Sequence, residues 1–217
     1  MSDKIITAYR KSKSIYDDVL TQRTWWSRLY SHLFWGGTDD RDIAARLLAY
    51  IPADFSGSLL DVPAGTAALT WEKYKALPAA SITCLDYSED MLEQAKKRLG
   101  HVANIAFLQG DVGHMPFKDE AFDTVLSMNG FHAFPDKDQA FLETYRVLKK
   151  GGSFLACCYI CGQSKATDFL VTSFLAKKGW FTPPFETAES LNSRLNGLYQ
   201  TVNLHLDGAM VWFTCVK

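Results

Sequence analysis

Three aspartates follow short apolar runs at equal distances along the chain. Asp61 ends the run SLLD, Asp86 ends ITCLD and Asp111 follows AFLQG, at intervals of 25 residues (61 to 86 and 86 to 111). A strand, a helix and the return to the next strand occupy about this length in a parallel α/β sheet. Each carboxylate then lies at the carboxyl end of a strand, the edge where open doubly wound sheets bind ligands. The spacing predicts one extended polar ligand along that edge.

The turn after Asp61 reads VPAGTA and consists of small residues. Small residues let a ligand approach the backbone and a helix N-terminus closely. The residues predicted to make this contact are Pro63, Ala64, Gly65 and Thr66. The alternative is a tight strand-to-helix connection that needs only compactness.

The other two aspartates suit different parts of a nucleoside. A carboxylate at Asp86 can accept hydrogen bonds from both hydroxyls of a ribose. A carboxylate at Asp111 can accept from an exocyclic amine, and the Val112 amide can read a ring nitrogen. Two residues close to Asp86 in sequence can form an apolar wall for a base, namely Tyr87 and Met91.

The elements that must position these residues alternate along the chain. Strands are predicted for the apolar runs SLLDV, ITCLD, IAFLQ, FDTVLSM and SFLACCYI. Helices are predicted over 66–77, from the cap Ser88 to Leu99, and over 136–150. This alternation favours a parallel sheet with helices on both faces.

The last quarter of the chain has a different pattern. Helices are predicted over 165–178 and 188–195, and strands over 198–202 and 210–216. Asp207-Gly208 is a turn signal between the two strands. We therefore expect a closing antiparallel hairpin on an otherwise parallel sheet.

Residues 1–50 are predicted to be helical and are unusually aromatic. Thr38 can cap a helix that carries Asp39 and Asp40 in its first turn. The aromatic rings can close as a lid over a ligand or pack as core against the sheet. They are Trp25, Trp26, Tyr30, Phe34 and Trp35, with Trp180, Phe181 and Phe185 as a candidate opposite wall.

Composition narrows the function classes. The 217 residues carry a formal net charge of −1, which gives no reason to expect nucleic acid or an anionic membrane as a partner. The N-terminus lacks the apolar centre of a signal peptide, and no apolar run is long enough to cross a bilayer. Five cysteines without a disulfide-like spacing favour a reduced compartment, so we expect a cytoplasmic protein.

Four stretches together carry a resemblance to a known family. In order they are LLDVPAGTA, CLDYSEDMLEQAKKRL, LQGDVGHMPFKDEAFDTVLSMNGFHAF and RVLKKGGSFLACCY. Over residues 58–160 the chain resembles the class I S-adenosylmethionine-dependent methyltransferases, and is most similar to their ubiquinone/menaquinone-biosynthesis-like small-molecule branch. The resemblance implies a Rossmann-like, mostly parallel seven-stranded sheet with a C-terminal antiparallel hairpin and an N-terminal helical cap.

The resemblance also implies the cofactor and its contacts. S-adenosyl-L-methionine would lie with its methionine part on the turn that Asp61 opens and its ribose on Asp86. Asp111 with Val112 would hold the adenine. The sulfonium region would face two residues at the end of the fourth strand, Met128 and Asn129.

Two departures from the family pattern keep other functions open. Pro63 and Ala67 stand where the family usually has glycine, which leaves room for a binding module without catalysis. The family's motif for amide or base nitrogen methylation is also absent, which disfavours DNA and protein-glutamine substrates. The leading prediction is methyl transfer to a small-molecule acceptor of aromatic or apolar character, without nucleic acid or integral membrane association. The alternatives are a nicotinamide-dependent oxidoreductase and a non-catalytic nucleotide-binding module.

Two further groups could do chemistry. His132, after the fourth strand, could act as a general base or hold the acceptor, or it could make a structural hydrogen bond. Cys157, Cys158 and Cys161 could hold a soft acceptor, but adjacent strand residues point to opposite faces, so buried packing is favoured. No metal site is expected.

The expected organisation is one methyltransferase domain over 1–217. Residues 1–50 would form the helical cap, 58–161 the cofactor-binding core, and 162–217 the acceptor-side helices and closing hairpin.

Overall fold

Seven strands form one sheet in the order β3-β2-β1-β4-β5-β7-β6. The computed structural model describes residues 39–217. The first five strands run parallel, and β7 runs antiparallel to both of its neighbours, β5 and β6. The predicted Rossmann-like topology is confirmed. The strands are β1 Ser58–Asp61, β2 Ser81–Asp86, β3 Ile105–Gln109, β4 Phe122–Met128, β5 Leu148–Tyr159, β6 Thr201–Asp207 and β7 Met210–Val216.

Helices cover both faces of this sheet. They are α1 Asp40–Ala49, α2 Trp71–Lys75, α3 Glu89–Leu99, α4 Lys137–Val147, α5 Lys165–Leu170, α6 Ala176–Lys178 and α7 Ala188–Leu198, with a π turn over Val171–Leu175 that joins α5 to α6. Alternate strand residues belong to two separate buried clusters, as Leu59 and Leu60 show. Helices α1 to α3 and the π turn pack into the first cluster, and α4 and α7 pack into the second. Both faces are therefore apolar, as the near-continuous hydrophobic strands require.

Helix α3 follows its sequence signals closely. The Ser88 hydroxyl accepts a hydrogen bond from the Met91 amide, and acidic and basic side chains occupy the first and last turns. These charges complement the helix dipole. The buried residues recur at helical spacing, as predicted, and are Met91, Leu92, Ala95 and Leu99.

The segment 66–77 is not the helix that its composition predicts. Only Trp71–Lys75 is helical, and the preceding residues form turns. Ala67 has a φ of 56°, a left-handed conformation that an α-helix does not admit. The prediction was wrong because contacts with β2, described below, hold this turn open.

Three other boundaries differ from the predictions. The helix predicted to reach residue 150 ends at Val147, because the chain enters β5 at Leu148 and Gly151 lies at a φ of 74°. Helix α7 continues to Leu198, so β6 begins later than expected, at Thr201.

The structure tests only part of the N-terminal predictions, because it describes residues 39–217. Asp39, not Thr38, caps α1, because its carboxylate accepts the Arg41 amide at 2.8 Å. The proposed aromatic lid of Trp25, Trp26, Tyr30, Phe34 and Trp35 lies outside the described residues. Among residues 39–217, no helix is both long and apolar enough to cross a membrane.

Candidate active site

A cavity opens at the carboxyl ends of β1, β2 and β4. Its lining comprises residues 61–70, 85–88, 91, 110, 112, 128–129 and 133–134. The three strands lie side by side in the sheet, which brings residues far apart in sequence to one edge. Of the residues predicted to hold the cofactor, those that line this cavity are Asp61, Pro63, Ala64, Gly65, Thr66, Asp86, Tyr87, Met91, Val112, Met128 and Asn129.

Asp86 ties the first turn to the second. One carboxylate oxygen accepts the Gly65 amide and the other accepts the Ser88 amide, each at 2.8 Å. Burial raises the pKa of Asp86 to about 6, against the lowering effect of these two hydrogen bonds. Each carboxylate oxygen has a second lone pair, which can accept a hydroxyl from the cavity.

Backbone hydrogen bonds connect the small-residue turn to β4 and β2. The Val62 amide donates to Leu126 and the Ala64 amide donates to Leu85, both at 2.9 Å. Gly65 has a φ of 53°, and a β-carbon built on it would meet no atom within 4 Å. The backbone at Gly65 is therefore open to close approach by a ligand.

Asp61 is a second buried carboxylate in the same lining. Burial, together with the neighbouring Asp86, raises its pKa to about 7, although Thr70 and Tyr74 lie close enough to lower it. The Thr70 hydroxyl lies 3.5 Å from the carboxylate, which is long for a hydrogen bond, so this bond is weak. No described residue of the lining is basic. The cavity therefore favours a ligand that brings positive charge.

We expect this carboxylate pair to make the ligand-free protein less stable as pH rises. Asp61 has a higher pKa when folded, about 7, than its ordinary 3.8, so the folded state holds the proton more tightly. The stabilisation is complete below about pH 4 and is lost by about pH 7. Asparagine at position 61 cannot bind this proton. The free energy of unfolding of Asp61→Asn should therefore fall less between about pH 4 and pH 7, by on the order of a few kcal/mol. Urea unfolding at several pH values measures it, and parallel profiles for both proteins would contradict it.

Asp111 caps a short 3₁₀ turn, Val112–His114. Its Oδ1 accepts the Gly113 amide at 2.9 Å. The flanking Gly110 and Val112 line the cavity, whereas Asp111 itself is not among the lining residues. The structure therefore brings its backbone neighbours to the site, and the contact of its carboxylate with a ligand stays a prediction.

Met128 ends β4, Asn129 follows it, and both line the cavity. Asn129 has a φ of 57°, and its amide N–H donates to Cys157 at 2.9 Å. Its side chain donates to Asp40 at 3.4 Å and accepts from the Cys157 thiol at 3.8 Å. These contacts join the cavity wall to α1 and β5.

Comparison with known proteins places this geometry in a family. Residues 60–156 match a family model described as a methyltransferase domain. The chain carries a class I S-adenosylmethionine-dependent methyltransferase domain. Because that family uses S-adenosylmethionine, the assignment decides against the nicotinamide-dependent alternative.

Each named relative matches this methyltransferase chain over only part of the chain's length and part of its own length. This chain is 32% identical over 152 residues to a malonyl-acyl-carrier-protein O-methyltransferase of Geobacter sulfurreducens, and the match covers 70% of this chain and 51% of that protein. It is 44% identical over 94 residues to a demethylmenaquinone methyltransferase of Staphylococcus haemolyticus, covering 43% and 39%. The chain thus spans about half or less of these relatives' length.

A solved structure extends the similarity of fold beyond the matched segment. An S-adenosylmethionine-dependent methyltransferase of Thermotoga maritima superposes with a TM-score of 0.64 at 19% identity. The superposition covers 91% of this chain and 98% of that one. At this identity the likeness shows the fold alone.

His132 of the methyltransferase domain lies behind the cavity wall. It is buried but is not among the lining residues. Its Nδ1 accepts the Tyr159 amide at 3.2 Å, and its ring stacks on Phe181 with centroids 4.3 Å apart. Burial, with a smaller effect from nearby Lys137, lowers its pKa to about 3. A packing role is evident from these contacts, and its role as a base stays a prediction.

Replacing His132 with asparagine separates the two roles. Asparagine can still accept the Tyr159 amide through Oδ1, but it cannot act as an imidazole base. We expect cofactor affinity, measured by calorimetry, to stay within about threefold, because the ring does not line the cavity. A kcat loss of about 100-fold would then assign a base. Unchanged turnover would leave His132 with packing alone.

The late aromatic residues pack in or against the first buried cluster. Phe181 and Phe185 each meet the ring of Tyr159 edge-on, with centroids 5.6 Å apart. Trp180 packs against the first buried cluster. None of Trp180, Phe181 and Phe185 is among the described cavity-lining residues, and the facing rings at 25–35 lie outside the described residues, so the opposite wall stays a prediction.

The sequence did not predict the hydrogen bonds that Lys137 and Thr182 make, which we call the clasp. The Thr182 amide donates to His132 and its hydroxyl donates to Ala133, both at 2.9 Å. The buried Lys137 ammonium donates to the carbonyls of Thr182 and Phe134. The clasp therefore fixes the segment that supplies Ala133 and Phe134 to the cavity wall. No local pattern signals it, because Lys137 and Thr182 are 45 residues apart.

The cysteines of the predicted cluster are buried or half-buried: Cys157 and Cys158 are buried, and Cys161 is half-buried. Cys157 and Cys158 belong to different buried clusters, so they face opposite sides of the sheet as expected. Burial raises the pKa of both thiols, that of Cys158 to about 12. Residues 39–217 contain no group of three side chains placed to hold a metal ion.

Proposed function

We propose that this chain transfers the methyl group of S-adenosylmethionine to a small-molecule acceptor of aromatic or apolar character. The observation that carries the proposal is the cavity itself: two buried carboxylates, an open glycine turn and no basic residue among its described lining. The cofactor's sulfonium and ammonium groups supply the positive charge that such a cavity favours.

The cofactor would extend along the strand ends. The backbone around Gly65 would take the methionine part, with the carboxylate of Asp61 close by. Asp86 would accept the ribose hydroxyls through its remaining lone pairs. The adenine would lie at Val112 and Asp111, against the apolar side chains of Tyr87 and Met91.

The chain's contribution to the reaction would be positioning and exclusion of water. The bound sulfonium makes the methyl carbon electrophilic, so an in-line acceptor needs alignment more than activation. Met128 and Asn129 border the cavity where the acceptor would enter, and the bonds of Asn129 to Asp40 and Cys157 hold that border in place. The half-buried Met128, which packs against the first cluster, keeps the border partly apolar.

The acceptor class is inferred from the chemistry of the wall. Ala133, Phe134 and Met128 present apolar surface at the cavity, which suits a flat or apolar molecule. The named relatives act on demethylmenaquinone and on malonyl-acyl-carrier protein. These two acceptors differ in chemistry, since one is a quinone and the other a malonyl group carried on a protein, and neither is a nucleic acid. We also propose a cytoplasmic location and a single domain in which residues 1–50 and 162–217 complete the acceptor side.

Transfer of a labelled methyl group tests this function. The protein would be incubated with methyl-labelled S-adenosylmethionine and a panel of reduced quinones, phenols, amines and acyl thioesters. We expect label in an aromatic or apolar product, and loss of that label in Asp86→Asn. Cofactor binding without product from any acceptor would favour the non-catalytic module instead.

A further inference from the structure

We propose that the segment 165–178 docks the protein on the surface of an anionic lipid bilayer. The segment comprises α5, the π turn and α6, and it follows β5 on the first-cluster face of the sheet. Three of its large apolar side chains are exposed: Phe169 by 63%, Phe174 by 54% and Leu170 by 38%. We call these three residues the apolar patch.

The π turn is what places the two phenylalanines together. In a regular α-helix, residues five apart point about 140° away from each other. A π turn closes between residues five apart, so it brings them towards one face. The rings of Phe169 and Phe174 accordingly meet edge-on, with centroids 6.3 Å apart. The helix geometry thus gathers exposed aromatic surface that an uninterrupted α-helix would split.

The opposite side of the segment is already occupied by the core. Val171 and Leu175 are buried in the first cluster, which also contains Tyr159. The carboxylate of Asp168 accepts the Tyr159 hydroxyl at 2.5 Å and the Gly162 amide at 2.9 Å. The segment is therefore anchored through its buried side, and the apolar patch is left facing outward.

Basic side chains lie at both ends of the segment, and we call its three lysines the rim. Lys165, Lys177 and Lys178 are exposed, and Asp168 is the only acidic residue of the segment. Lys178, the last residue of α6, lies over the Trp180 ring, 5.3 Å from its centroid. A segment that exposes two phenylalanines and a leucine and carries lysines at both ends has the composition of an interfacial helix. The formal charge of −1 for the whole chain hides this local excess of positive charge.

Charge decides among the possible occupants. A second copy of this chain, docked symmetrically, would bring the three lysines against three more lysines. Residues 1–38 carry six Lys or Arg against three Asp, so their composition does not complement the charge of the rim either. An anionic bilayer complements the rim and accepts the phenylalanines, so it satisfies both features at once.

Docking would also orient the active site. The first cluster connects the buried side of the segment to Cys157, whose carbonyl accepts the Asn129 amide at the cavity border. Docking would therefore hold the cavity border, through the same packed sheet, at the membrane in which lipid-soluble acceptors dissolve. This consequence rests on the proposed function, whereas the docking itself does not.

Co-sedimentation with vesicles tests the docking. The full chain would be mixed with vesicles of phosphatidylcholine alone or with one quarter phosphatidylglycerol, at low and high salt. We expect binding to the anionic vesicles only, and weakening at high salt. Phe169→Ser/Phe174→Ser and Lys177→Glu/Lys178→Glu should each reduce partitioning by about tenfold or more.

Matched controls separate docking from folding. Leu142→Ser and Leu206→Ser remove apolar side chains that are 52% and 50% exposed elsewhere, and they should bind vesicles like the wild type. Thermal melting and S-adenosylmethionine titration of every variant check the fold and the cavity independently of lipid. Equal binding to neutral vesicles, no binding to anionic ones, equal loss in the Leu controls, or pelleting without vesicles would overturn the proposal. The last result would indicate self-association.

Discussion

Replacing Asp86 with asparagine should weaken the binding of both S-adenosylmethionine and S-adenosylhomocysteine by about a hundredfold. Asparagine offers one acceptor oxygen where the carboxylate offers two, so the Gly65 or Ser88 amide would face an NH₂ group. An unsatisfied buried donor costs about 1–3 kcal/mol, and the acceptor for the ribose hydroxyls is lost as well. Both ligands carry the same ribose, so both should weaken together.

Asp123→Asn is the matched control for Asp86→Asn. Asp123 also accepts a backbone amide, that of Ser58 at 2.8 Å, but it lies at the opposite edge of the sheet. Burial opposes its ionisation, and hydrogen bonds from Lys149 and Ser58 outweigh that effect and lower its pKa to about 2. Its substitution should lower stability and leave both ligand affinities unchanged. Calorimetry that finds Asp86→Asn no weaker than Asp123→Asn would remove Asp86 from the ribose site.

Replacing Gly130 with alanine should damage stability and cofactor binding together. A β-carbon there would lie 2.3 Å from Cδ of Pro63, 2.8 Å from the Phe134 ring and 2.9 Å from the Ser127 hydroxyl. The proline ring is rigid and belongs to the cofactor turn, so relief of the clash displaces that turn. Overpacking of this kind costs about 1–3 kcal/mol, which lowers Tm by roughly 3–10 °C in a chain of this size.

Gly197→Ala provides the comparison for Gly130→Ala. Gly197 lies in α7, and a β-carbon there would meet no atom within 4 Å. Alanine should stabilise the helix by about 0.5–1 kcal/mol and leave the cofactor affinity unchanged. Thermal melting and calorimetry read both properties. A Gly130→Ala protein that melts at or above the wild type would show that the turn tolerates displacement.

Sequence was sufficient where local pattern and tertiary structure agree. The parallel strands and α3 follow from apolar runs, a serine cap and charges that suit the helix dipole. The cavity then follows from topology, because parallel strands place Asp61 and Asp86 at one edge. The same argument accounts for the arrival of Met128 and Asn129 at the end of β4.

Sequence was insufficient where contacts between distant segments override local preference. The stretch TAALTWEKYKAL has helical composition, yet the bonds from Gly65 to Asp86 and from Ala64 to Leu85 hold its first part as a turn. Ala67 consequently adopts a left-handed conformation, which explains why glycine is usual there in the family. The clasp between Lys137 and Thr182 likewise has no local signature.

His132 shows a second limit of sequence reasoning. Its residue type and its place after β4 favoured a general base, but neither property reveals burial. The stacked Phe181 ring comes from a distant loop, and burial is the main reason that the pKa falls to about 3. Only the tertiary structure could show that the ring is a weak base in this environment.

Calorimetric titration of the wild-type protein tests the central claim most directly. S-adenosylmethionine and S-adenosylhomocysteine would be titrated at neutral pH, with NADH as the comparison ligand. An acid-lined cavity with an open glycine turn predicts micromolar binding of the two sulfur nucleotides and no binding of NADH. Binding of NADH, or no binding of S-adenosylmethionine, would contradict the assignment of this cavity as the methyl-donor site.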